Sequence, residues 1–133
     1  MSDDLAAAAP IVPGYAGHAD APARRLSDQQ VRAWVGEMLA DLQDRMPVDA
    51  VRGRLDALLL RCEFADQHVV TAIEDQRFGE PELAAAVEAC DRALVEAARP
   101  GRTTGPDGLE ALVAALERAF DKRSSALAAL LKR

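Results

Sequence analysis

Between residues 51 and 73, apolar side chains return at helical spacing. Val51, Leu55, Leu58, Leu59, Cys62, Val69 and Ile73 share one face at 3.6 residues per turn. Asp66 falls in the middle of that face. A stripe this long has to be covered by other helices, and an ionised carboxylate inside it is costly unless something pairs with it. The stripe therefore demands a helical fold with a seam, and the aspartate demands a partner in that seam.

Three further stretches carry the same period. The first is expected over 28–46, with Ser27 and Gln30 as a capping box. Val31, Trp34, Val35, Met38, Leu39, Leu42 and Met46 form its inner face, and Pro47 stops it. The second helix, which holds Asp66, reads as one element over 48–78, ended by Gly79 and Pro81. Pro81 suits the first turn of a third helix over 81–98, with Leu83, Ala86, Val87, Cys90, Ala93, Leu94 and Ala97 inward. A fourth helix over 108–131 follows the long loop at 99–108 and turns Leu109, Leu112, Val113, Leu116, Phe120, Leu127, Leu130 and Leu131 inward. No segment alternates as a strand does. Four helices with mostly short connections predict an all-α, antiparallel four-helix bundle.

Residues 1–26 are rich in Ala, Pro and Gly and have no period, so they read as a disordered tail ahead of a bundle domain at 27–133. Within it, Pro10–Tyr15 holds apolar residues in a proline-stiffened setting and is a candidate docking segment, although an unstructured leader is the simpler reading. A chain of 133 residues is enough for one such domain and too short for two.

The net charge of −6 argues against nucleic acid and against an anionic membrane surface as partners. No stretch is apolar for long enough to span a bilayer, and Met1–Asp4 carries no basic signal region. Two cysteines without CxxC spacing do not form a disulfide framework. A cytoplasmic location is the expectation.

Arg123 is the other charge that falls squarely in a seam, between Phe120 and Leu127. In an up-down-up-down bundle the second and fourth helices run parallel. Asp66 and Arg123 then stand at similar heights, about five and four turns from their helix starts. An Asp66–Arg123 pair, within the chain or across a dimer, is the leading expectation, and its role would be to fix register. A break in the long helix that leaves Asp66 wet is the second reading. A ligand or metal site is the third.

A metal site has little local support. His68 projects about 160° away from Asp66 around a regular helix. The Glu-x-x-His pairs of helical di-iron centres are missing. A Cys62, Cys90 and Asp66 set would supply only three ligands, and both cysteines read more simply as small core residues. No metal or cofactor is expected. Nothing resembles a catalytic nucleophile with its base or a phosphate-binding loop, so an enzyme is not favoured. Arg99 and Arg102 in the long loop are a weak candidate for holding an anion.

The second helix carries another apolar strip, Leu60, Phe64 and Phe78, roughly opposite the first. A helix apolar on two faces is central or sits at an interface. The expectation is a non-catalytic protein–protein interaction module: an accessory subunit, assembly factor or adaptor, homodimeric through that strip. The alternative is a bundle that binds a small molecule or metal in a core pocket around Asp66, Cys62, Cys90 and Arg123.

Overall fold

Asp20 begins the first helix: in the computed structural model its carboxylate accepts the backbone N–H of Ala23 at 2.8 Å. The structure describes residues 12–17, 20–45 and 49–132. Helix α1 runs Ala21–Arg45 and buries the expected face from Val31 to Leu42. It starts about two turns earlier than the capping box suggests. Ser27 lies inside it and serves another purpose, donating to the Gly17 carbonyl at 2.8 Å and accepting the Ala16 N–H at 3.0 Å. Residues 12–17 are thereby strapped to the bundle, with Val12 wholly buried in its core. The boundary expected near residue 26 moves accordingly, because 21–26 are helical. Residues 1–11, with the first part of the candidate docking segment, lie outside the described residues, as do Met46, Pro47 and Val48.

The single second helix expected over 48–78 is three elements. Helix α2 covers Asp49–Glu63, helix α3 covers Gln67–Glu74, and a 3-10 turn follows at Gln76–Gly79. Asp66 makes the break. Its backbone is extended, and its side chain accepts the His68 N–H at 2.8 Å, capping α3. Breaking the helix there keeps the carboxylate out of the seam, a better solution than burying it.

Pro81 opens helix α4, Pro81–Ala98, as expected, and helix α5 spans Leu109–Leu131 after two further 3-10 turns. Among the described residues there is no strand. The result is an all-α, antiparallel four-helix bundle whose second member is α2 and α3 together.

Consecutive helices form two antiparallel hairpins. In the first, Gln43 bonds Asp56 near one end, and Gly36 allows close approach to Cys62 further along. Between the hairpins, α2 and α5 lie side by side in the same direction, tied by Arg54–Glu117, Arg61–Asp121 and Ser124–Asp66. The core falls into two apolar clusters. The larger contains Trp34, Leu39, Leu55, Leu94, Leu116 and Phe120. The smaller is built from Val69, Ala72, Ile73, Phe78, Val87 and Leu127. Between Phe120 and Leu127, and so between the two clusters, stands Arg123.

Candidate functional site

Arg123 is only 3% exposed, and its guanidinium joins three helices. Nη2 donates to Asp28 Oδ1 on α1 at 2.7 Å and to Asp91 Oδ1 on α4 at 2.9 Å, and Nε donates to Asp91 Oδ1 at 3.1 Å. Tyr15, on the N-terminal strap, donates its hydroxyl to Asp91 Oδ2 at 2.9 Å. Arg32 completes the layer from α1. Its Nε bonds Asp28 Oδ2 at 2.9 Å, while Nη1 reaches the carbonyls of Cys62 and Glu63 at 3.0 and 3.3 Å. Those are end carbonyls of α2, orphaned by the break. Arg24 does the same for α3, donating Nε to the Ile73 carbonyl at 3.0 Å. Two arginines about two turns apart on α1 thus cap both parts of the broken helix.

Burial by itself would make Arg123 easier to deprotonate. Asp91 and Asp28 outweigh that effect and hold its pKa above the ordinary arginine value. Tyr15 is pushed well above the ordinary tyrosine range, first by burial and then by the Asp91 charge. Two buried carboxylates stand against two arginines, so the layer is a paired one.

The expected Asp66–Arg123 pair does not form. Asp66 is exposed at the cap of α3, and the residue that reaches it is Ser124, whose Oγ donates to Asp66 Oδ1 at 3.1 Å. The matched heights were therefore sound, but the angle around α5 was not. Neighbouring residues on a helix differ by about 100°, which sends Arg123 inward and Ser124 towards α3.

Above this layer, where α2 ends beside α5, a groove of about 480 Å³ opens. Val69, Phe120, Arg32 and Arg123 form its deeper wall, and Leu60, Phe64, Arg61, Asp66 and Ser124 its outer one. Leu60 and Phe64 are 56% and 65% exposed, in keeping with the outward strip read from sequence. Phe78 is not part of that strip: it is fully buried in the smaller cluster, because the chain has already left the helix and turned inward at Gln76–Gly79. Arg61 lies over the Phe120 ring at 4.8 Å and bonds Asp121 at 2.8 Å.

Two of the four pocket residues expected from sequence, Asp66 and Arg123, do line one cavity. Neither Cys62 nor Cys90 lines it. Cys62 is buried against Gly36, and burial pushes its thiol up to about 11. Cys90 is half-buried on α4, and its pKa is raised chiefly by burial. Among the described residues no group of three or more His, Cys, Asp and Glu side chains is placed to hold a metal ion, so the Cys62, Cys90 and Asp66 set is not brought together. Arg99 pairs with Glu96 and Arg102 stacks over Trp34, which occupies the two arginines of the loop.

The inner face of α4 lies about one residue along from the expected one. Ala84, Val87, Glu88, Asp91, Leu94, Val95 and Ala98 point inward, at a clean helical period that contains two acids. Read without discarding the acids, that period would have revealed Asp91. Arg24, Asp28 and Arg32, spaced four apart on α1, offered a similar signal.

No family model matches the chain, and neither the curated proteins nor the solved structures contain a match.

Proposed function

We propose that this chain is a non-catalytic protein–protein interaction module, an accessory or adaptor bundle that docks through the outer wall of the groove. The observation that carries the reading is the pair Leu60 and Phe64. Leu60 lies on the last turn of α2 and Phe64 just past its end, both more than half exposed, on the rim of a mostly apolar groove. Large apolar side chains clustered at a concave surface and rimmed by charge are the usual composition of a contact surface. Here the rim is supplied by Arg61, Asp66 and Asp121.

Homodimerisation through α2 belongs to the same reading, since a second copy would cover that strip. Two unpaired cysteines are consistent with a reducing, cytoplasmic setting. No helix among the described residues is long and apolar enough to cross a membrane.

Affinity purification from the native host, followed by mass spectrometry, tests the interaction. A specific set of proteins should be recovered with the natural chain and lost with a Leu60→Ser/Phe64→Ser double variant. Equal recovery by both would overturn the reading. A monomer by light scattering at high concentration would remove the homodimer from it.

A further inference from the structure

The arginines of the polar layer have donors to spare. Arg123 spends Nε and Nη2 on Asp91 and Asp28, and Arg32 spends Nε on Asp28 and Nη1 on two carbonyls. Arg123 Nη1 and Arg32 Nη2 have no acceptor among the described residues, although the side chains are only 4% and 13% exposed. Each such nitrogen carries two N–H donors, and buried donors without an acceptor are unfavourable. Both arginines line the groove, and the rest of its wall is largely apolar.

We propose that the groove binds a small amphipathic monocarboxylate. Its carboxylate accepts from Arg32 Nη2 and Arg123 Nη1, a charge-assisted pairing suited to guanidinium donors. Its hydrocarbon body lies between Phe64 and Leu60 on one side and Phe120 and Val69 on the other. A volume of about 480 Å³ lies in the range of small-molecule sites. The charge balance selects a monoanion. Asp28 and Asp91 already balance the two guanidinium groups, so a carboxylate is held by the unspent N–H donors and not by excess positive charge. A second negative charge would add repulsion from Asp66 with no further donors to offset it. A cation is disfavoured at the deeper wall, where Arg32 and Arg123 present only donors, Asp66 lying on the outer wall. The inference goes beyond the interaction reading, and the two share only Leu60 and Phe64.

Calorimetric titration of the whole chain at pH 8 tests it, with sodium dodecanoate below its micelle concentration as the probe. Dodecyltrimethylammonium and 1-dodecanol serve as comparisons. Dodecanoate should bind once per chain and about tenfold or more tighter than either, the equivalent of one charge-assisted hydrogen bond. Arg32→Gln should weaken dodecanoate about tenfold while leaving dodecanol unchanged. Because Arg32 also caps α2, Phe64→Ser on the exposed wall provides a second variant, and it should weaken dodecanoate and dodecanol alike. Equal binding of the three probes, no binding of dodecanoate, or full affinity in Arg32→Gln would each overturn the proposal. A chain that captures proteins from its host but takes no dodecanoate would overturn this inference alone. The converse result would overturn the interaction reading alone.

Discussion

Arg123 and Asp28 meet at 2.7 Å in the centre of the bundle, although 95 residues separate them in the chain. The bond joins the first helix to the last, and Asp91 on α4 closes the triad. A pair so buried gives little net stability, because desolvation offsets the attraction, but losing one partner strands the other. Arg123→Met should therefore cost about 3–5 kcal/mol in urea unfolding. Replacing Asp28 and Asp91 by leucine in the same chain should restore only part of the loss, since no carboxylate is then stranded but Arg32 loses its bond to Asp28 and the Tyr15 hydroxyl its bond to Asp91. An unchanged midpoint in the single variant would show that the triad has no structural role.

Asp66 should behave as a helix cap. Asp66→Ala is expected to cost about 1 kcal/mol, and Asp66→Asn nearly nothing, because asparagine caps as well as aspartate. Equilibrium unfolding of both variants checks this. A loss in Asp66→Asn as large as that in Arg123→Met would mean that the carboxylate is paired after all.

Tyr15 is the only tyrosine, so its absorbance near 295 nm reports on the N-terminal strap. Its folded pKa lies above the ordinary value of 10.0, so the folded chain retains the phenolic proton longer than the unfolded one. The stability this provides is complete below about pH 10 and is lost as pH rises beyond it. Cys62 adds a slope of the same sign between its ordinary 9.0 and about 11. The native chain should show no tyrosinate at pH 10.5, whereas the urea-unfolded chain should be largely ionised. Tyr15→Phe should reduce the alkaline loss of stability and leave the Cys62 part. A native titration midpoint at 10 would detach Tyr15 from Asp91.

Phe64 and Phe78 occupy opposite environments on segments once expected to form a single strip. Phe78→Ala should cost about 3–5 kcal/mol, as for a buried phenylalanine, and Phe64→Ala should fall within about 0.5 kcal/mol of the natural chain. Thermal unfolding of the monomeric species distinguishes them. Similar losses in both would place Phe64 in the core.

Apolar periodicity alone determined that this chain is helical, where the helices expected over 81–98 and 108–131 lie to within a few residues, and that Arg123 faces inward. Those properties are local, because a stripe at 3.6 residues per turn has to be buried whatever covers it. The break at Asp66 was harder to see. Helical spacing continues through it, and only the balance between a buried carboxylate and a capped helix end shows that the helix stops. The start of α1 was missed for a related reason, since Ser27 has a cap's chemistry but spends it on Ala16 and Gly17. Which carboxylates meet Arg123 lay beyond sequence altogether. Asp28 and Asp91 are chosen by how the two hairpins rotate against each other about their helix axes. That rotation is set by the summed packing of both cores, so tertiary structure alone could decide it.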